Sequence, residues 1–223
     1  MPEKTVQKEP GKKPAPSKKP KPQQEVVVQI PLSELHPFPD HPFQVREDAS
    51  MQETAESVKE YGVLVPALAR PREDGGYELI AGHRRKHACE LAGLATMPVI
   101  VRDIDRDAAT IIMVDSNLQR ENILPSERAK AYKMKMEAIK RQGARTDLTS
   151  PKISAKFRSD DEVGQDAGVS GDTIRNYIAL TQLVPELQQM VDEKKIALSP
   201  AYQIAALTPK EQGPVSYTHL RAH

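Results

Sequence analysis

The feature that most constrains how this chain can fold is a change of pattern at Asp105: before it, short β-branched runs alternate with helical spacing, and after it every segment reads as helix. A β-branched run fits a pleated strand, whereas apolar residues recurring at intervals of three and four place one stripe on a helix. Glu25 to Ile30 is therefore read as a strand ended by Pro31. A turn-rich stretch with three prolines, His36 to Pro42, leads to a helix from Met51 to Tyr61, with Ala55, Val58 and Tyr61 on its apolar face and Gly62 at its end. Pro66 to Pro71 and Tyr77 to Ile80 are expected to pair as a hairpin across Glu73-Asp74-Gly75-Gly76. A helix from about His83 to Leu91 and a strand from Met97 to Val101 complete the first half. Beyond Asp105, helices are read at 105–118, 126–142, 160–167, 170–183, 185–194 and 199–207, with an irregular insertion at 146–151. The expected class is α+β: a small mixed α/β N-terminal domain over 25–122, followed by an all-α helix-turn-helix domain over 123–210.

The flanks differ from these domains. Residues 1–24 hold seven lysines, two glutamates and six prolines, a composition that buries no core and reads as a disordered basic tail. Residues 211–223 break the helical pattern and are expected to stand apart from the fold as a foreign tail or the mark of a truncated chain. No apolar run approaches the roughly 20 residues a membrane span needs, and no signal core precedes the first strand, so a cytoplasmic location is expected. The single cysteine, Cys89, has no internal partner and reads as a packed thiol. With a formal net charge of only +1, affinity for nucleic acid has to come from where charge sits. Residues 128–158 carry ten Lys or Arg against Glu137 and Asp147 and lie just before the segment considered next.

Residues 159–180 have the spacing of two short helices crossing steeply. Gly168 supplies the tight turn and Gly164 lets the helices approach, with Val163, Ala167, Val169, Ile174 and Ile178 packing between them. Ser159 and Ser170 stand where N-caps are needed. In such a motif the second helix enters the major groove, which makes Ser170, Gly171, Thr173, Arg175 and Asn176 the candidate DNA-binding residues and Arg175 the first choice for a guanine or a phosphate. A plain helical hairpin is the competing reading, supported by Asp160, Asp161, Glu162, Asp166 and Asp172.

Gly82 lies between a strand and a helix and is followed by His83, Arg84 and Arg85. A helix start offers unpaired N–H groups to an anion, and a phosphate there would also meet both guanidinium groups. Paired arginines are more often simple surface charge. The reading gains from Gln44 and Arg46 upstream and from Asn117, Gln119, Arg120, Glu121 and Asn122 downstream, all of which can converge on one pocket. His83 and His87 have helical metal-ligand spacing, but Arg84, Arg85 and Lys86 lie between them and repel a cation. No Walker-type phosphate loop occurs, so a motor ATPase would be a separate protein.

Taken in order, Pro-Phe-Gln-Val-Arg (42–46), residues 56–66, Ile80-Ala81-Gly82-His83-Arg84-Arg85, Asn117-Leu118-Gln119-Arg120-Glu121 and the helix-turn-helix resemble the ParB family of partition proteins over about 26–207. The resemblance implies dimeric binding to a centromere-like palindrome in double-stranded DNA, with CTP and Mg²⁺ driving a sliding clamp. It also implies a ParA-type ATPase partner and a place at the nucleoid. Gln44, Arg46, Gly82, His83, Arg84, Arg85, Gln119 and Arg120 would surround the nucleotide, and Asn117 would hold Mg²⁺. The family commonly has glutamates where this chain has His83 and Ser116, which leaves nucleotide binding better founded than hydrolysis. The family's C-terminal dimerisation segment does not appear before residue 223, so a longer protein is expected. Other readings remain: a transcription regulator that needs no nucleotide, or an enzyme on the same scaffold, either a kinase or a sulfiredoxin-like reductase.

Overall fold

The computed structural model describes residues 25–120, 122–147 and 159–214. The basic tail, Glu121, most of the expected insertion and residues 215–223 lie outside the described residues. The first half is a five-stranded mixed sheet of β1 (Val27–Pro31), β2 (Leu35–Pro37), β3 (Ala67–Pro71), β4 (Tyr77–Ala81) and β5 (Thr96–Val101), in the order β1-β5-β3-β4-β2. β3 and β4 form the expected antiparallel hairpin, with Gly75 at φ +90° and Gly76 at +69° in its turn. The three-residue strand β2 falls inside the proline-rich stretch read as turn and pairs in parallel with β4. Proline is tolerated there because β2 is an edge strand, where a missing N–H leaves no inner ladder bond unmade.

Neighbouring strand residues point to opposite faces, and both faces of this sheet are covered. Leu79 packs with Met51, Val58, Ala88 and Cys89 of α1 (Ala49–Tyr61) and α2 (His83–Leu91). Ile80 packs on the other side with Ala109, Met113 and Val114 of α3 (Arg106–Leu118) and Ala131 of α4 (Pro125–Asp147). Asp48 caps α1 by accepting from the Met51 N–H at 2.9 Å, and Asp105 caps α3 by accepting from Ala108 at 2.8 Å. Tyr61, expected on the buried face of α1, is 63% exposed, and Met51 fills the core one turn earlier than expected.

α4 is the spine of the molecule. Ala131 belongs to the sheet-side core, Tyr132 packs with Val163 and Ile174, and Ala129 joins the cluster built on Leu180, Leu187 and Val191. The helices that surround it are α5 (Ser159–Ala167), α6 (Gly171–Ala179), α7 (Pro185–Asp192) and α8 (Leu198–Ile204). Residues 209–214 are also helical. Gln212 is fully buried, accepts from the Val184 N–H at 2.8 Å, and donates to the carbonyls of Gln182 and Leu207 at 3.1 and 3.0 Å. This corrects the expectation that the chain leaves the fold at 211: a buried amide that closes three backbone groups is part of the helical core.

Candidate functional site

Gly82 begins the site. It ends β4 at φ +110°, and an added Cβ would stand 2.8 Å from the Cβ of Ala67, so only glycine lets the chain turn into α2 this close to β3. From that turn the two arginines diverge. Arg84 reaches Ser50 Oγ at 3.2 Å and Asp48 Oδ1 at 3.6 Å on the start of α1. Arg85 instead donates to the carbonyls of Val65 and Pro66 at 2.5 and 2.6 Å, which fastens the segment before β3.

A cleft of about 400 Å³ brings together Gln44, Arg46, Arg84, Arg120 and Asn122, with Asp48, Ser50 and Glu127 on its walls. Burial first, and then the positive charge of Arg84, pull the Arg120 guanidinium below its ordinary value, while Glu127 opposes them. Arg84 and Arg120 thus set two like charges in one cleft, an arrangement that suits an anion. Glu127 was not foreseen from sequence. It accepts from the backbone N–H of Gln44 at 3.1 Å and of Leu124 at 3.2 Å, so it fixes the loop that carries Gln44 and Arg46. The only sequence signal for it is an acid in the first turn of a helix.

Five expected members do not line this cleft: Gly82 makes the turn into α2, His83 lines a small neighbouring cavity, and Asn117, Gln119 and Arg85 are engaged elsewhere. Asn117 is buried and spends its amide on the Met113 carbonyl at 2.7 Å, one turn back on its own helix. Gln119 lines a separate cavity of about 690 Å³ with Asp115, Arg128, Tyr132, Asp166, Gly168 and Val169, between α3 and the turn of the helix-turn-helix. Arg85 is diverted to the loop carbonyls. The carboxylates of the cleft do not form a ready Mg²⁺ cage, because Asp48 is committed to Arg84 and the cap of α1, and Glu127 to two N–H groups.

His83 stands at the first position of α2 and meets the His41 ring at a tilt of 46°, with ring centroids 3.9 Å apart. Burial, His41, Arg120 and Lys86 together lower it to about 3, which keeps its ring neutral at ordinary pH. Cys89 is fully buried, and burial pushes its thiol up, as befits a packed cysteine.

In the helix-turn-helix, Gly168 takes φ +68° at the turn, and a Cβ on Gly164 would meet the Val169 carbonyl at 2.6 Å, as both glycines were expected to behave. Ser170 caps α6, accepting from the Thr173 N–H at 3.2 Å and lying 2.9 Å from the Thr173 hydroxyl. Ser159 is the first residue of α5 rather than the cap before it. Gly171 proves to be a packing residue: it is buried, and a Cβ would overlap Asp161. Arg175 bridges Asp160 on α5 and Asp172 on α6, so in this state it clamps the two helices together. Asn176 is exposed. Val169, expected between the helices, is 37% exposed and faces the cavity beside α3.

Comparison with known proteins follows the same division. The ParB N-terminal domain matches residues 16–118 and the ParB HTH domain matches residues 152–221. The chromosome-partitioning protein Spo0J of Thermus thermophilus is 34% identical over 187 residues, covering 83% of this chain and 62% of that protein. The probable chromosome 1-partitioning protein ParB of Deinococcus radiodurans is 39% identical over 171 residues, covering 76% of this chain and 52% of its own length. The chain thus spans between half and two thirds of these relatives. A crystal structure of C-terminally truncated Caulobacter crescentus ParB, complexed to the centromeric parS site, matches with a TM-score of 0.53 and 25% identity over 87% of this chain and 92% of that one. Two family domains in this order, on a mixed sheet followed by helices, place the chain in the ParB family.

Proposed function

We propose that this chain is a sequence-specific DNA-binding partition protein, which holds a centromere-like site through α5 and α6 and binds CTP in the arginine cleft as a clamp switch. The observation that carries the nucleotide half is the meeting of Arg84 and Arg120 in one cleft with Arg46 and Gln44, where their mutual repulsion is relieved by a polyanion. The choice of CTP follows the family resemblance. The DNA half is supported by the helix-turn-helix geometry and by the Caulobacter relative, which is bound to its parS site. Mg²⁺ would arrive with the triphosphate. Asn117 does not line the cleft; its Nδ2 donates to its own helix, and a role at the metal would fall to its Oδ1.

The reading includes a ParA-type ATPase partner, assembly as a homodimer and a location at the cytoplasmic nucleoid, in the segregation of a chromosome, plasmid or mobile element. It is a reading of binding rather than turnover, because the positions where glutamates are common in the family hold His83 and Ser116. The experiment is to measure CTP and ATP binding with and without DNA fragments selected by the protein. Arg84→Ala is expected to weaken CTP binding about 10- to 100-fold, the loss of a charge-assisted contact of about 1.5–3 kcal/mol. DNA selection without any nucleotide binding would instead favour the nucleotide-independent regulator.

A further inference from the structure

The loop before α1 and the start of α2 place two imidazoles against each other beside the arginine cleft. His41 Nδ1 lies 2.7 Å from the carbonyl oxygen of Phe43. A carbonyl only accepts, so this nitrogen carries the hydrogen, and in the neutral ring His41 Nε2 is a bare acceptor. That Nε2 is buried without a partner, as is Nε2 of His83, whose ring is 3.9 Å away. Orphaned buried nitrogens are uncommon and call for an explanation. The titratable and charged groups around the pair are Arg120 at the end of α3, Lys86 on α2 and Glu127 on α4, with Glu47, His87 and Glu90 on the walls of the small cavity that His83 lines. Arg120 acts on both rings, and it is also a cleft residue.

We propose that His41 and His83 form a proton-uptake pair: a polyphosphate bound against Arg84 and Arg120 draws a proton from solvent onto the imidazoles. This rests on the reading of the cleft as an anion site. Burial and the Arg120 charge disfavour a proton on either ring. A bound polyanion offsets the positive field of Arg120, and an added proton gives His41 Nε2 the hydrogen it lacks beside the His83 ring. No bond to carbon or phosphorus changes; one proton moves from solvent to one ring nitrogen. His41 thereby acts on the cleft from beside it, through the Phe43 carbonyl and Arg120, and nucleotide affinity becomes tied to pH.

The test is calorimetric titration of the protein with CTP and Mg²⁺ at pH 7.4, in HEPES and in Tris, whose ionisation enthalpies differ. Net proton uptake is expected in the wild-type protein. The terminal phosphate of the nucleotide, with its own titration near pH 6, contributes proton release, which has the opposite sign. His41→Asn and His83→Gln, made singly and together, are expected to abolish uptake and to weaken CTP binding at this pH, with the cleft arginines still holding the nucleotide. Over the interval where uptake is seen, wild-type affinity is expected to rise by up to tenfold for each unit of falling pH, relative to the double variant. Binding whose heat shows the same proton balance in wild type and double variant overturns the pair alone. An absence of binding heat in both buffers overturns the cleft reading and this inference with it.

Discussion

At Gly82 the backbone takes φ +110°, and the nearest atom to a would-be side chain is the Cβ of Ala67 at 2.8 Å. Gly82→Ala therefore adds left-handed strain and a steric overlap, neither of which can relax without moving β3. A loss of about 2 kcal/mol or more is expected, seen as a lower urea midpoint at unchanged slope. His83 makes a second prediction at this scale. In the ligand-free protein it is held to about 3 by burial, His41, Arg120 and Lys86, whereas an unfolded histidine titrates near 6.5. Between those values the unfolded chain binds more protons than the folded one, so stability falls as the pH drops below 6.5, and the decline levels off only near 3. Thermal melts from pH 7 to pH 4 should show this slope, and His83→Gln should make it shallower; identical slopes would mean that His83 reaches solvent.

Among the elements, the joint between α3, α4 and α5 depends on Lys135, whose side chain is 1% exposed and donates to Asp115 at 2.7 Å and Asp166 at 2.9 Å. Burial pulls this ammonium down, and its two ion pairs outweigh that and raise it. The partners are not equivalent: Asp115 and Asp166 keep 45% and 56% of their exposure and can rehydrate, and the ammonium cannot. Lys135→Met should therefore cost little, about 1 kcal/mol, while Asp115→Asn with Asp166→Asn strands a buried cation and should cost about 3–5 kcal/mol in denaturant melts. This asymmetry was not legible in the sequence, where Lys135 is one of ten cations in a basic stretch. What was legible is what punctuation encodes: Gly62, Gly93 and Gly168 close helices or turns at positive φ, and α2 begins and ends where the strand-Gly82-helix pattern put it. The cleft was half legible. Gln44, Arg46, Arg84 and Arg120 do meet, but Asn117 and Gln119 face elsewhere, because successive positions at a helix end point in different directions and spacing along the chain does not reveal which one faces the cleft.

For the molecule as a whole, a formal net charge of +1 means that attraction to DNA must come from local stripes, and the structure shows which cations of the described part of the basic stretch, residues 128–142, are engaged within the fold. Lys135 is consumed in the interior, Arg141 pairs with Asp107 and Glu137, and Arg128 lies over the ring of Tyr177 at 5.6 Å. Arg175, the foremost candidate on the recognition helix, is held by Asp160 and Asp172. Lys130 and Lys140, by contrast, are exposed on α4. Each phosphate neutralised by a lysine releases condensed counterions, and the slope of log affinity against log salt is about −0.9 per contact. Lys130→Ala with Lys140→Ala should therefore flatten that slope by about one to two units on every DNA sequence, whereas Arg141→Ala should leave it unchanged and act on stability instead. Arg175→Ala is expected to differ from both. If base contact requires it to leave its two carboxylates, its removal weakens selected DNA more than random DNA, whereas a phosphate contact would weaken both alike, and binding titrations over a salt series on both substrates separate the two. An Arg141→Ala slope as shallow as that of the lysine pair would show that its pairing with Asp107 opens on DNA, and that the fold holds fewer of its cations back than the unbound structure displays.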